Sequence, residues 1–397
     1  MRFIAVLTAS TLAVAACADA GEEIARPDGG STTGPTTTTT QSAVDLDGPS
    51  ALDDITHPDL PAPLVDPEAI ISGGPPPDGI PPIDSPQFVS VREADEWLDD
   101  HEAVVYLTLA GETHAYPVQI LIWHEIVNDV VGGVPVSVTY CPLCNSAVSY
   151  RRTISGHITT FGTSGRLYAS ALVMYDRLTE SLWTHYDGRA VAGVLAGHEL
   201  ERIPSPLLAW SDLEESFPDA LVLDREATGH DRPYGANPYV GYDDPDGYPF
   251  LFRGNPDDRA RAMERIVGVE LDGASKAWTL DSLASGSATA TRGSVGDIEG
   301  VIFGTSGQVS AVEGRGVDVG RDVGSVGVFS PAVEGTILTF VTEDVTFVDL
   351  ETGTEWDITG RAIEGPLEGA TLDQIHHLDT FWFAWATYRP GTVLVEG

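Results

Sequence analysis

The chain has 397 residues and a formal net charge of −39 at pH 7, and Lys276 is its only lysine. Such an acidic surface repels phosphate backbones, which excludes nucleic-acid binding from the expected functions. The length is sufficient for two domains of ordinary size.

The first residues predict export. An uncharged apolar run from Phe3 to Ala16 follows Arg2 and ends on small residues directly before Cys17, as in a secretory signal peptide. The run is shorter than the roughly 20 residues of a membrane-spanning helix. Small residues ending on a cysteine resemble the lipobox of bacterial lipoproteins. This resemblance implies that residues 1–16 are removed and that Cys17 anchors an extracytoplasmic protein to the membrane through a lipid. The alternative is an ordinary signal peptide with an incidental cysteine.

Residues 17–87 are predicted to form a disordered tether. The part up to residue 50 is rich in Thr, Gly, Ser and Pro and nearly lacks large apolar residues, so it cannot bury a core. The proline-rich sequence GGPPPDGIPPIDSP, Gly73 to Pro86, moves the predicted start of globular structure to residue 88.

Residues 88–224 are predicted to form a first domain that is mainly β. Short alternating runs separated by glycine-containing turns are typical of strands and hairpins, and they read VVYLTL, PVSVTY, AVSYRR and HITTFG. Helices are expected to be few: one near Glu93, one over YPVQILIWHEIVND with Pro117 in its first turn, and one over SPLLAWSDLEES.

Residues 225–265 are predicted to be an ordered, loop-rich connection packed across two domains. The segment is rich in Tyr, Pro, Gly and Asp, and its many aromatic residues argue against a flexible linker.

Residues 266–397 are predicted to form a second domain related to the first. GETHAYPV at Gly111 aligns with GASKAWTL at Gly273, and YDRLTESLW at Tyr175 aligns with VDLETGTEW at Val348. An internal duplication explains this order of matches most simply. The expected fold is therefore α+β, with two tandem antiparallel β domains and a few packed helices.

The first predicted domain carries Cys141 and Cys144 in the sequence TYCPLCNSAVSY. In a thioredoxin-like protein, the first cysteine of such a pair begins a helix whose dipole lowers the thiol pKa. Here one alternating run precedes the pair and another comes after it. This pattern predicts strand, turn, strand and favours a metal-binding knuckle. Asn145 fits the tight turn, because Asn enters the left-handed region more readily than most residues.

Two cysteines supply half of a tetrahedral metal site. His124, on a predicted apolar helix, is the first candidate for a further ligand, and its alternative is a core histidine bonded to a backbone carbonyl. His185 and Met174 are further candidates, although such a methionine is more often a core residue. Glu125 is a candidate for a base or for a residue that orients a ligand.

The second predicted domain offers a comparison within the chain. The positions that match the CPLC segment and His124 carry neither cysteine nor histidine there. A residue needed for the shared fold would reappear in both copies, whereas chemistry needs only one. A special site is therefore expected in the first domain alone.

These segments resemble a bacterial family, the domain of unknown function 3179. The resemblance extends from Phe88 to Val395 and rests on HAYPVQILIWHEIVND, TYCPLCNSAVSYRR, TFGTSGRLYASALVMYDRLTESLW, NPYVGYD, PFLFRG and FWFAWATYRP. The family pattern usually has Gly where this chain has Asn145, and Gln near His185. The resemblance implies that the CPLC segment is typical of the family, and it carries no activity or catalytic residue with it.

The sequence supports three hypotheses for the function. The first is an extracytoplasmic lipoprotein that binds Cu(I) or Zn through Cys141 and Cys144, completed by His124 and by Met174 or His185, because soft ligands favour these metals. The second is a thiol-disulfide oxidoreductase or redox sensor, which a helix beginning at Cys144 and an exposed first sulfur would favour. The third is a non-enzymatic envelope binding module in which the pair is a stabilising disulfide.

Overall fold

The computed structural model describes residues 46–284, 286 and 288–395. The predicted signal peptide over residues 1–16, the predicted lipidation site Cys17 and the first part of the predicted tether lie outside the described residues. The described residues belong to one compact unit. Strands far outnumber helices in it, which confirms the predicted mainly β fold with a few helices.

The first half of the described chain contains sixteen strands and three α-helices. A 3-10 turn at Pro67–Ala69 precedes them. In chain order they are β1 (Ile70–Ser72), β2 (Phe88–Ser90), α1 (Val91–Ala94), β3 (Ala103–Leu109), β4 (Glu112–Pro117), α2 (Val118–His124), β5 (Ile126–Val131), β6 (Val134–Cys141), β7 (Ser146–Arg151), β8 (Thr153–Ile154), β9 (His157–Ile158), β10 (Phe161–Tyr168), β11 (Ala171–Asp176), β12 (Leu182–Thr184), β13 (Ala190–Ala192), β14 (Arg202–Ile203), β15 (Leu207–Ala209), α3 (Trp210–Ser216) and β16 (Leu221–Leu223).

The second half of the described chain contains the remaining strands and two α-helices. In chain order they are β17 (Arg265–Leu271), β18 (Ala274–Thr279), α4 (Leu280–Ala284), β19 (Ala288–Val295), β20 (Ile298–Thr305), β21 (Ser325–Phe329), β22 (Ala332–Val333), β23 (Thr336–Ile337), β24 (Phe340–Glu343), β25 (Thr346–Asp349), β26 (Glu355–Trp356), β27 (Ala362–Glu364), β28 (His377–Phe381), α5 (Trp382–Tyr388) and β29 (Val393–Val395).

Three main sheets form the first half, in the orders β15-β3-β4-β16-β2, β14-β7-β6-β5 and β1-β10-β11-β12-β13. Neighbouring strands are antiparallel except that β16 runs parallel to β4. Most neighbours in sequence are also neighbours in a sheet, because short turns can join antiparallel strands directly.

The sheets of the second half have a corresponding order: β28-β17-β18-β29, β19-β20-β21 and β24-β25-β26-β27. β28 lies antiparallel to β17 as β15 does to β3, and β29 lies parallel to β18 as β16 does to β4. A duplication would leave this agreement of strand order. The duplication itself stays a prediction.

The two halves share their largest buried clusters. One cluster joins Tyr140 and Trp183 of the first half to Ile266 and Phe381 of the second. Another cluster joins Trp210 of the first half to aromatic side chains of the second, among them Phe303 and Trp356. Because large aromatic side chains contribute much of the buried area, the halves stabilise each other.

The predicted disorder of residues 17–87 is wrong from residue 46 onward. Ile70 pairs with Tyr168 where β1 joins β10. Ile83 is only 2% exposed, and its backbone bonds to Ile126 and Asn128 at 2.9 and 2.8 Å. The prolines of this segment lack an amide donor, but residues between them such as Ile83 keep both backbone groups for hydrogen bonding. Together with a few buried apolar side chains, these bonds hold the segment against the first half.

The helix predicted over YPVQILIWHEIVND is also too long. α2 ends at His124, Glu125 has a left-handed φ of 59°, and β5 begins at Ile126. The residues after Glu125 are rich in β-branched side chains, which pack well on a sheet, and they pair with β6.

Among the described residues, none of the helices combines the length and the hydropathy that crossing a membrane requires.

Candidate thiol site

The two cysteines lie at one β-hairpin turn. β6 ends at Cys141, β7 begins at Ser146, and these two residues face each other across the hairpin. Asn145 has a left-handed φ of 48°. The predicted sequence of strand, turn and strand is confirmed, and so is the left-handed asparagine. The redox hypothesis expected a helix beginning at Cys144, whereas the chain passes from the turn directly into β7.

Both sulfurs belong to free thiols that are buried in the protein. The relative exposure is 1% for Cys141 and 0% for Cys144. The first sulfur is therefore buried, where a thioredoxin-like protein would expose it. Any reagent that reaches this turn must pass the residues that cover it.

The two thiols have opposite tendencies to hold a proton. Burial raises the pKa of the Cys141 thiol, but hydrogen bonds to its sulfur outweigh burial, and the pKa lies below its usual value. The donors are the Cys144 thiol and the backbone amides of Leu172, Cys144 and Leu143. Burial raises the pKa of Cys144 well above its usual value, and hydrogen bonding and charge from Cys141 raise it further. Cys141 thus loses its proton more readily than Cys144 does.

A chain of polar side chains leads away from Cys144. Its sulfur lies 3.0 Å from Ser146 Oγ, which lies 2.9 Å from His185 Nε2. His185 Nδ1 lies 2.8 Å from Thr139 Oγ1. All four side chains are buried. Burial lowers the pKa of His185 to about 3, so its imidazole is neutral.

Glu125 lies close enough to Cys141 for the charges of the two groups to interact. The residue is 6% exposed, and its backbone carbonyl accepts from the Tyr140 amide at 2.8 Å. Burial raises the pKa of Glu125 well above its usual value, and the charge of Cys141 raises it further. The Glu125 carboxyl therefore holds its proton more strongly than an exposed glutamate does. Its left-handed backbone is unusual for glutamate, and such conformations are concentrated at functional sites.

The sequence profile of the family described as "Protein of unknown function (DUF3179)" matches residues 77–392. The chain belongs to this family. No curated protein matches the chain, and no solved structure matches it. The match includes the cysteine hairpin, Glu125 and His185, so the site lies in the part of the chain that defines the family.

The hydrogen bonds of His124 do not involve the residues of the thiol site. Its Nδ1 is 2.7 Å from the carbonyl oxygen of Pro81, and its Nε2 is 2.7 Å from Tyr234 Oη. Burial lowers the pKa of His124 to about 4. Both ring nitrogens are thus occupied, and the structure does not bring this first candidate ligand to the sulfurs. It is instead a buried histidine bonded to a backbone carbonyl, the alternative that the sequence left open.

Met174 is a buried residue of β11, opposite Thr163 and Trp183 in the neighbouring strands. It packs in the same apolar cluster as the two cysteines. This position is that of a core methionine, and its role as a thioether ligand stays a prediction.

The residues at the turn fit a closed tetrahedral metal site poorly. Across the described ranges, one group of three His, Cys, Asp or Glu ligand atoms lies within 4.8 Å of one another, and it consists of Asp95, Asp100 and Glu214. It does not include the cysteines. His185 reaches Cys144 only through Ser146, and both its ring nitrogens are engaged. The two sulfurs are therefore the ligand atoms that the turn itself offers.

The second half and the loop-rich segment cover the turn. Thr380 Oγ1 donates to the carbonyl of Cys144 at 2.7 Å, and the Phe381 amide donates to the same oxygen at 3.1 Å. Tyr242 Oη donates to the carbonyl of Leu143 at 2.9 Å. These contacts bind the backbone carbonyls of the turn and do not involve the two sulfurs.

Sequence reasoning did not find Ser146 or Thr139. Both are common residues in strands, and nothing in their spacing indicates histidine contact. Two signals were available: Ser146 comes directly after the left-handed Asn145, and Thr139 lies two residues before Cys141, on the same face of its strand.

Proposed function

We propose that this protein is an extracytoplasmic, lipid-anchored member of its family in which Cys141 and Cys144 act as a redox-active dithiol. The observation that carries the proposal is the presence of two free thiols in one buried turn, where hydrogen bonds lower the pKa of Cys141 and burial raises that of Cys144. An unequal pair of this kind is what thiol-disulfide exchange requires, because one sulfur attacks and the other resolves the intermediate.

The exchange has two steps. The Cys141 thiolate attacks one sulfur of a disulfide in a partner molecule, which breaks that disulfide and releases one partner thiolate. A mixed disulfide now joins Cys141 to the partner. Cys144 then loses its proton and attacks Cys141, which forms the Cys141–Cys144 disulfide and releases the second partner thiolate. Two electrons pass from the protein to the partner disulfide.

The location supports this chemistry. The apolar N-terminal run and Cys17 favour export and lipid anchoring, and disulfides persist outside the cytoplasm. The thiols are buried, so we expect only small disulfides, or partners that displace Tyr242, to reach Cys141.

A second candidate function is binding of Cu(I) or Zn by the same two sulfurs. The favouring observation is that backbone amides of Leu143 and Cys144 donate to the Cys141 sulfur, as expected for a knuckle that holds a metal thiolate. Soft thiolate ligands select these metals. Met174 is the remaining candidate for a thioether ligand.

One experiment compares the two functions. Full-length protein carrying Cys17→Ser, so that only two thiols remain, is purified without oxygen. It is equilibrated in buffers of graded dithiothreitol ratio, and free thiols are counted after acid quenching. We expect one reversible transition in which both thiols disappear together. Free thiols at every ratio would refute the redox function.

Metal content is measured on the same preparation beside a Cys141→Ser, Cys144→Ser variant. Stoichiometric copper or zinc that is lost in the variant, together with thiols that never pair, would favour the metal function. If the variant changes only the free energy of unfolding, the pair is a structural element of a binding module.

A further inference from the structure

The hydrogen bonds around His185 fix the direction of a proton path. Thr139 Oγ1 donates its one hydrogen to the carbonyl of Val148 at 2.5 Å. The same oxygen lies 2.8 Å from His185 Nδ1, so it can only accept there. His185 therefore carries its proton on Nδ1, and its Nε2 presents a lone pair.

The next links depend on that lone pair. Ser146 Oγ lies 2.9 Å from His185 Nε2, so the serine hydroxyl donates to the imidazole. The oxygen of Ser146 can then accept, and the Cys144 sulfur lies 3.0 Å away. The Cys144 thiol has one hydrogen, which it donates to the Cys141 sulfur in the resting pair. Once Cys141 is bound in the mixed disulfide, this hydrogen can turn to Ser146, and the path runs from the Cys144 S–H through the Ser146 O–H to His185 Nε2.

Two hydrogen bonds hold the backbone of His185 beside the path. Its amide donates to the carbonyl of Leu172 at 3.0 Å, and Tyr150 Oη donates to its carbonyl at 2.7 Å. Both partners come from buried strands of the first half. The backbone of His185 is thus fixed by contacts that do not depend on Ser146, and Thr139 holds Nδ1 of its ring.

We propose that Ser146 and His185 form a proton relay that removes the Cys144 proton when this sulfur attacks the mixed disulfide at Cys141. Ser146 is the catalytic residue because it touches the reacting sulfur, and His185 is a positioning residue that acts through it. This inference rests on the proposed dithiol function and assigns the second step of it.

Protons and electrons balance in this step. The Cys144 S–H bond breaks as the bond between the two cysteine sulfurs forms, and the electrons of the old mixed disulfide leave with the partner thiolate. The thiol proton passes to Ser146 Oγ while the serine proton passes to His185 Nε2. The imidazolium then gives its proton to solvent, because burial lowers the pKa of His185 to about 3, and the imidazole is neutral again before the pair is reduced.

Burial explains why Cys144 needs a relay and Cys141 does not. Amide donors stabilise the Cys141 thiolate directly, whereas burial raises the pKa of Cys144. Burial also lowers the pKa of His185 to about 3, so the resting site holds a neutral thiol beside a neutral imidazole. The proton moves only as the new sulfur bond forms, as in general base catalysis.

The test uses 2,2′-dithiodipyridine, a small neutral disulfide that releases a coloured thiopyridone at each step. The full-length Cys17→Ser protein is the reference, and Cys144→Ser in that background should release only the first equivalent. In Ser146→Ala, we expect the first release to be unchanged and the second to slow by about 100-fold. His185→Asn should show the same separation of the two phases.

Ser149→Ala is the matched control. Ser149 is a buried serine of the same strand, and its hydroxyl has no hydrogen-bond partner within the described part of the chain, so its loss should leave both phases unchanged. The second phase of the reference should also slow in D₂O, and Ser146→Ala should lose that isotope effect. A general structural defect would slow both thiopyridone releases. It would not remove the D₂O isotope effect from the second release alone.

The results separate the two levels of the proposal. A second release that keeps the reference rate in Ser146→Ala, or that slows equally in Ser149→Ala, overturns the relay and leaves the dithiol function standing. If the reference protein never releases a second equivalent, the dithiol function fails and the relay fails with it.

Discussion

At the scale of single residues, Asn145 shows how one side chain serves both the turn and its surroundings. Its backbone has a left-handed φ of 48°, which most side chains adopt only at a cost. Its Oδ1 accepts from Tyr140 Oη at 3.0 Å, and its Nδ2 donates to Asp379 at 3.4 Å. Asparagine thus tolerates the conformation and also bonds to both halves of the protein.

Substitutions at Asn145 should separate these two roles. Asn145→Gly keeps the left-handed conformation and loses the side-chain hydrogen bonds, which should lower the free energy of unfolding by about 1 kcal/mol. Asn145→Ala loses those bonds and adds a conformational cost of about 1 kcal/mol. Urea unfolding at pH 7 measures both. An alanine variant as stable as the glycine variant would show that the turn changes its conformation.

The cysteine turn was predictable because its evidence is local. Alternating runs flank Cys141 and Cys144, and Asn145 occupies a place that suits a left-handed residue. The partner of His185 was not predictable in this way. Thr139 and His185 are distant in sequence, and the contact depends on how β6 and β12 are placed by their sheets. His124 has the same difficulty, since Pro81 and Tyr234 both come from segments without a periodic pattern.

At the scale of elements, each half closes one of its hairpins with a buried aspartate, and the hydrogen bonds of the two aspartates correspond. In the first half, Asp176 accepts from the Trp183 indole at 2.9 Å and from the Thr179 amide at 2.7 Å. Asp176 is completely buried at the end of β11. Its carboxylate therefore replaces the solvent that the turn would otherwise need.

The second half repeats this arrangement between β25 and β26. Asp349 accepts from the Trp356 indole at 3.1 Å and from the Thr352 amide at 2.7 Å. Asp349 is also completely buried. The two aspartates and the two tryptophans occupy matching positions in YDRLTESLW and VDLETGTEW. In these two segments, the matching Asp and Trp residues are the ones whose side chains bond to each other at the hairpin.

Asp176→Asn and Asp349→Asn should therefore have similar effects. Each variant places an amide NH₂ where the carboxylate accepted several hydrogen bonds, so we expect each to lower the free energy of unfolding by about 2–3 kcal/mol. Urea unfolding followed by tryptophan fluorescence measures the change. The exposed Asp297→Asn is the control and should have little effect. A large effect in one half alone would argue that the hairpins contribute unequally.

Residues 46–87, which are rich in proline, show why composition alone can predict disorder wrongly. Low apolar content predicts disorder because such a segment cannot form its own core. Ile83 instead completes a core that the first half already provides, and its backbone bonds to the start of β5. Composition measures what a segment can bury by itself and does not report the surfaces that other segments offer to it.

At the scale of the whole molecule, a few buried acids make the stability of this acidic protein, with its formal net charge of −39, depend on pH. Burial is the main cause in each case. It raises the pKa of Glu102 to about 7 and that of Asp212 to about 6, and it raises the pKa of Glu125 well above its usual value. At a pH between the pKa of the unfolded chain and that of the folded protein, such a carboxyl binds a proton on folding and releases it on unfolding.

The direction of this shift sets the sign of the pH dependence. Between the unfolded pKa of Glu102, 4.5, and its folded pKa of about 7, the folded state binds more protons than the unfolded state. Stability must then fall as pH rises through this window. A shift of this size corresponds to about 3 kcal/mol between its two ends.

Glu102→Gln should remove this part of the pH dependence. Glutamine is neutral at every pH and keeps an oxygen that can accept from Gln119, which donates to Glu102 at 2.7 Å. We expect the free energy of unfolding of the variant to fall less between pH 5 and pH 8 than that of the natural protein, by about 2 kcal/mol. Urea unfolding at both pH values gives the difference. The control is the exposed Glu343→Gln, which changes the net charge equally but lies outside the core, and it should leave the slope unchanged. Equal slopes in all three proteins would mean that Glu102 is ionised in the folded state and that general charge repulsion sets the pH dependence.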